Sequence, residues 1–238
     1  GIYQDRLHHL DTDSSPEFIG APTLWNSLRG QGHAGEGIVV GVIDTGVWPE
    51  HPSFSDPDPS GNPYPPPPGG PYECDFGNTD WNPEDTPFEC NNNRIGAYEF
   101  LDTYKSLIGL DPLDFDSALD SMGHGSHTAS TAAGNGGVKA NILGTSLGEI
   151  SGIAPRAHII MYKACGLTGS CMTSDLVAAV EQAIVDGVDT LNFSISGGDD
   201  PYSDLVSLAF LSAYENGVFV ACSGGNFGPR PDTVGHRE

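Results

Sequence analysis

Short, unbroken apolar runs punctuate a chain that is otherwise polar and rich in glycine. The first is Ile38-Val39-Val40-Gly41-Val42-Ile43, stopped by Asp44; His158-Ile159-Ile160-Met161-Tyr162 and Val218-Phe219-Val220-Ala221-Cys222 are of the same kind. Such β-branched runs without alternation predict strands buried on both faces. Val188 to Ile195 reads as a further strand and Ile95 to Phe100 as a short one. Helical spacing appears between them: Leu176, Val180, Ala183 and Ile184 recur after Thr173-Ser174-Asp175 and stop at Gly187. Leu205, Leu208, Ala209, Ser212 and Ala213 make a second such stripe, ending at Asn216-Gly217. The small residues His127 to Ala133 form a third helix candidate, stopped by Gly134. The resulting βαβαβ rhythm predicts an α/β fold, a mostly parallel sheet flanked by helices, in one domain over residues 1–238.

The remaining stretches are read as loops. Residues 1–37 wrap the surface with one short helix around Thr23 to Leu28. Residues 51–93 form a Pro-rich excursion centred on Pro65-Pro66-Pro67-Pro68-Gly69-Gly70, and 134–155 a Gly-rich loop. An acidic loop spans 102–120, where Asp102, Asp111, Asp114, Asp116 and Asp120 leave two readings open, a calcium site or a solvated surface. Their spacing is not that of an EF-hand, and the chain is otherwise read as needing no metal or cofactor.

Composition narrows the partners. Nine Lys and Arg against 32 Asp and Glu give a formal net charge of −23. That argues against nucleic acid or an anionic membrane surface, both of which select basic proteins. No apolar run approaches the roughly 20 residues of a membrane span. The start, Gly1-Ile2-Tyr3-Gln4-Asp5, has neither part of a signal peptide and reads as a processed product. Of the cysteines, Cys74 with Cys90 and Cys165 with Cys171 lie close in sequence in loop contexts, and Cys222 sits in an apolar run as a buried thiol. Two loop-closing disulfides and a secreted, oxidised protein are the expectation; zinc is the competing reading, weakened by the lack of any C-x-x-C pair.

Candidate chemistry gathers at three points. Asp44 ends the first buried strand and is followed by Thr45-Gly46; ligands in open parallel sheets collect beyond such carboxyl ends. His124 stands between Gly123 and Gly125 where a small-residue helix begins, and Asn226 lies in Ser223-Gly224-Gly225-Asn226-Phe227-Gly228-Pro229. With the stretches Val42 to Val47 and Gly123 to Ala129, these segments resemble, in order, the aspartate, histidine and oxyanion motifs of the subtilisin-like serine proteases, the subtilases. Trp48 to Phe54, Gly152-Ile153-Ala154-Pro155 and Asp189 to Gly197 resemble the plant-type, PA-domain-bearing branch, and both cysteine pairs are similar to that branch's.

The resemblance implies a subtilisin-like fold, incomplete at the C-terminus, with His124 as general base, Asp44 as its orienting carboxylate and Asn226 as oxyanion donor. It further implies a peptide substrate along Ser194, Ile195, Ser196 and Gly197, with Ser223, Gly224 and Gly225 lining the pocket for the residue before the scissile bond. His127 is taken as a structural neighbour. The family's serine lies in a Gly-Thr-Ser motif well beyond the asparagine, and no residue of this chain matches it. The expectation is therefore a secreted endopeptidase working with its C-terminal remainder, and inactive without it. Two alternatives stand beside that reading. One is a truncated or degenerate subtilase kept as a binding scaffold. The other is a lipase or esterase using Ser146 of Gly144-Thr145-Ser146-Leu147-Gly148, although that motif belongs on a strand-to-helix elbow and no strand is read ahead of it.

Overall fold

The computed structural model describes residues 15–77, 88–198 and 200–235. Short helices α1 (Ser15–Phe18) and α2 (Ala21–Ser27) lead into strand β1 (Val39–Asp44). Then follow β2 (Arg94–Glu99), α3 (Asp102–Leu107), α4 (His124–Ala133), the hairpin β3 (Val138–Ile142) and β4 (Thr145–Ile150), and β5 (His158–Lys163). The chain continues through α5 (Thr173–Asp186), β6 (Thr190–Phe193), α6 (Leu205–Glu215) and β7 (Phe219–Cys222). The main sheet has five strands in the order β2-β5-β1-β6-β7, with every pairing parallel. This is the expected α/β architecture, and its carboxyl ends all open on one edge.

Alternation along β1 assigns the two faces. Val39 and Ile43 pack with Val180 and Ala183 of α5 and with Ala209, Phe210 and Ala213 of α6. Val40 and Val42 turn the other way, against Ala129 and Ala133 of α4. Helices cover both faces, which is why the strand reads as a continuous apolar run. Val42, Ile43, Ile159, Ile160 and Met161 are fully buried, and side chains of this size contribute about 1.5–3 kcal/mol each by leaving water. Helix α5 ends as its sequence demands, on Gly187 with φ 71°, a left-handed cap that glycine adopts without a Cβ penalty.

Some loops are more ordered than the sequence suggested. The 134–155 stretch contains the antiparallel β3–β4 hairpin, and helix α3 lies inside the acidic segment. The Pro-rich excursion is tied down from within: Tyr64 donates to Asn135 Oδ1 at 2.7 Å and to the Pro155 carbonyl at 2.6 Å, and the Arg156 guanidinium stacks 4.0 Å over the Tyr64 ring. Asn135 Nδ2 donates to the carbonyls of Pro52 and Ser55 at 2.9 Å each. Arg94 reaches the carbonyls of Pro49 and Glu89 at 3.0 and 2.6 Å from a site where burial lowers its pKa to about 10. Disulfides join Cys74 to Cys90 and Cys165 to Cys171. Cys222 takes no part in them and is half-exposed, not buried as expected, because β7 is the edge of the sheet. Among the described residues no helix is long and apolar enough to cross a membrane.

Candidate functional site

Two glycines bring the candidate acid and base together. The turn after β1 passes through Gly46 at φ 112°, where a Cβ would stand 2.6 Å from the Ala118 carbonyl oxygen. A Cβ on Gly125 would lie 2.1 Å from the Gly46 carbonyl oxygen, so only bare backbone lets the start of α4 dock on that turn. His124, the first residue of α4, is thereby set over the carboxyl end of β1, with its Nδ1 2.7 Å from Asp44 Oδ1.

The remaining contacts fix both partners. Asp44 is 1% exposed; its Oδ1 also accepts from the Thr45 amide at 2.7 Å and its Oδ2 from Thr128 Oγ1 at 3.0 Å. An ionised carboxylate only accepts, so Nδ1 of His124 is the donor in this pair, and the neutral ring then carries its lone pair on Nε2. The imidazole side chain is 43% exposed, so that lone pair can meet a reactant. A buried carboxylate orienting an accessible, neutral imidazole is what proton abstraction from a hydroxyl requires.

Asp120 holds the entry to α4. Its Oδ1 accepts from the amides of Met122 and Gly123 at 3.0 and 2.8 Å and from Thr45 Oγ1 at 2.9 Å. Its Oδ2 accepts from the amide and hydroxyl of Ser126 at 2.8 and 2.6 Å. Thr45 Oγ1 in turn accepts from the Gly125 amide at 2.9 Å, which closes a ring joining the end of β1, the acidic loop and the helix start. The loop itself is anchored by fully buried Lys163, whose Nζ donates to Asp114 Oδ1 at 2.8 Å and to the carbonyls of Phe115 and Leu119 at 3.0 and 2.8 Å. Burial alone would raise the Asp114 carboxyl, yet hydrogen bonds from Lys163 and Ser121, with the lysine charge, outweigh it and hold the group below the usual carboxylate range. Asp116 pairs with Lys105 at 2.8 Å. Among the described residues no group of three His, Cys, Asp or Glu side chains is placed to hold a metal ion.

Sequence reasoning missed Thr128, Asp120 and Lys163. Thr128 was within reach, since it lies one helical turn from His124 on the same face. Lys163 acts through partners far away in the chain, and Asp120 joins its near neighbours Met122, Gly123 and Ser126 to the distant Thr45. His127 is exposed, with its backbone amide donating to the Gly123 carbonyl at 3.1 Å.

The other candidates share this edge of the sheet. Ser194 to Gly197 run on from β6 without regular secondary structure, alongside the segment that follows β7. The Ser223 amide donates to the Phe193 carbonyl at 3.0 Å and its hydroxyl to the Ile195 carbonyl at 3.3 Å. The Gly235 amide donates to the Gly224 carbonyl at 3.0 Å, and a Cβ on Gly225 would stand 3.1 Å from Ser196 Oγ. Asn226 is exposed in the bend just beyond. Next to this segment opens a cavity of about 360 Å³, bounded by Gly169 to Cys171 of the small disulfide loop on one side and Ile195 to Gly198 on the other. Ser146, by contrast, is exposed in the antiparallel hairpin, paired with Asn141, and stands on no strand-to-helix elbow.

The profile of the subtilase family matches residues 35–237. Subtilisin-like protease SBT2.1 of Arabidopsis thaliana is 41% identical over 240 residues, covering 98% of this chain and 28% of the relative. SBT2.6 of the same plant is 38% identical over 231 residues, covering 94% of this chain and 28% of the relative. SBT1.7 is 37% identical over 239 residues, with 98% and 30% covered. The chain thus spans under a third of the length of the curated relatives it matches.

Proposed function

The chain belongs to the subtilase family, and from that premise we propose that it supplies the acid and base of a secreted serine endopeptidase whose nucleophilic serine comes from a segment beyond residue 238. The observation that carries this reading is the 2.7 Å contact between a buried Asp44 and an accessible His124 at the carboxyl edge of a parallel sheet. His124 Nε2 takes the serine proton as the hydroxyl oxygen attacks the peptide carbonyl. Asp44 stabilises the resulting imidazolium, which then protonates the leaving amine; water hydrolyses the acyl-enzyme by the same steps in reverse. Asn226, an uncharged amide donor, receives the oxyanion of each tetrahedral intermediate. The peptide lies along Ser194, Ile195, Ser196 and Gly197, with the side chain before the scissile bond near Ser223, Gly224 and Gly225. Backbone pairing of that kind tolerates many sequences. The two disulfides support an oxidising, extracellular setting. The remaining partners in this reading are the protein substrate and the C-terminal part of the same protease, with no nucleic acid, membrane or required cofactor.

Labelling the full-length protein with a fluorophosphonate, followed by peptide mapping, tests the proposal. The label is expected on a serine outside this chain. No labelling would favour a scaffold, and a label on Ser146 would favour an esterase. A second expectation concerns Asn226→Ala, which should lower kcat by about 10²–10³ with little change in KM, the magnitude known for loss of one such donor in subtilisin. Steady-state kinetics on a peptide substrate checks it, and an effect confined to KM would remove Asn226 from the oxyanion role.

A further inference from the structure

The cavity beside Ser194 to Gly197 has a mixed lining, in which Ser170, Thr173 and Ser196 are polar and one side chain is ionisable. Leu176, Phe193, Ile195 and Val206 supply apolar lining, and Asp204 is the single charged residue among the described residues that line it. Asp204 is the N-cap of α6: its Oδ2 accepts from the Ser207 amide at 2.8 Å and from the Ser207 hydroxyl at 3.0 Å, which fixes the carboxylate in place. Oδ1 is not used by the cap. The backbone before it is bare, because residues 197 and 198 are both glycine; Gly198 has φ 78°, and a Cβ there would stand 2.8 Å from Asp204 Cγ. Any side chain at 198 would cover the carboxylate.

We propose that this cavity receives a lysine or arginine side chain of the substrate, upstream of the scissile bond, and that Asp204 selects its charge; this rests on the peptidase reading above. The chemistry of the lining carries the inference. A lysine or arginine stem is several methylenes long and packs on apolar walls, while its cationic head seeks an acceptor. In this cavity the walls end at a carboxylate whose recorded partners, among the described residues, include no cation. Arg94, Arg156 and Lys163 are buried and bonded elsewhere, and Lys105 is paired with Glu99 and Asp116. A chain of net charge −23 further concentrates cationic peptides at its surface. A neutral aliphatic side chain would instead desolvate the carboxylate without pairing it, and an acidic one would meet like charge.

The test uses the full-length protease and fluorogenic peptides in which each of the positions two to five before the cleaved bond holds lysine, arginine, norleucine or glutamate in turn. Norleucine keeps the lysine stem and removes the charge. At one position lysine and arginine are expected to exceed norleucine in kcat/KM by about tenfold to a hundredfold, the range of a charge-assisted hydrogen bond. In Asp204→Asn that ratio should fall to near one. Asparagine is an equally good N-cap, so the fold is kept, and an unchanged thermal midpoint checks that. Norleucine preferred at every position, or a cation preference that survives Asp204→Asn, overturns the proposal while leaving the peptidase intact. Absence of both turnover and fluorophosphonate labelling overturns the peptidase reading and this proposal with it.

Discussion

His124→Ala in the full-length protease is expected to abolish turnover, lowering kcat by about 10⁶, the size of the loss when the equivalent base is removed from subtilisin. The structure explains why so little would survive. Nε2 of His124 is the one nitrogen of the pair left open, and Asp44 is too deeply buried, at 1% exposure, to reach a hydroxyl itself. Asp44→Asn should cost less. Its amide oxygen would take the Oδ1 position, where the Thr45 N–H already points, and would still accept the imidazole proton. The tautomer is kept and the stabilising charge is lost, so a fall of about 10⁴, the scale on which removing the acid alone acts in subtilisin, is expected. The double variant should be no worse than His124→Ala alone, because the two residues act as a unit. Both singles should melt close to the parent, since His124 is half-exposed and asparagine retains the volume of Asp44. Normal turnover in His124→Ala would remove the base from this account.

Lys163→Met is expected to produce the largest loss of stability. It leaves the Asp114 carboxylate buried without its cation and takes a donor from the carbonyls of Phe115 and Leu119. Breaking one side of a buried pair costs about 3–5 kcal/mol, measurable as a shift in denaturant midpoint at neutral pH. The sign with pH follows from Asp114. Its carboxyl is held below the usual range in the folded protein, so its contribution is complete above the unfolded value of about 3.9 and is lost as pH falls through the folded one. The gap between parent and variant should therefore narrow in acid. Asp114→Asn combined with Lys163→Met should recover part of the loss, by removing the stranded charge. Equal stability of parent and Lys163→Met at neutral pH would show that the pair does not anchor the loop. Because that loop carries Asp120, which holds the start of α4, the variant should also lose activity before it unfolds.

The buried strands and the long helices were legible because both faces of β1 and β5 are covered, so burial is written as an unbroken apolar run. The exposed hairpin was not. Every residue of β4 is exposed, which leaves no face for alternation to mark. Helix α3 is six residues long and polar, too short for its period to show. The acidic segment misled for a different reason. Asp114 and Asp120 look like solvated charge in sequence, yet they are 8% and 6% exposed, because Lys163, Leu167 and Thr45 meet them from distant parts of the chain while Met122, Gly123 and Ser126 fold back on Asp120 locally. Motif order located Asp44 and His124; the glycine-to-glycine approach that joins them is a property of three dimensions.

The parallel order β2-β5-β1-β6-β7 also sets a timetable for synthesis. Strand β1 ends at Asp44 and pairs with β5, which begins at His158, and with β6, which begins at Thr190. A ribosome adding about 5–20 residues per second needs roughly 6–20 s to pass from one to the other. For that interval Val39 to Ile43 emerges as an apolar ribbon with no partner, the sort of segment that recruits chaperones or other nascent chains. The strand that ends in Asp44 is made before both of its partners and folded only after them.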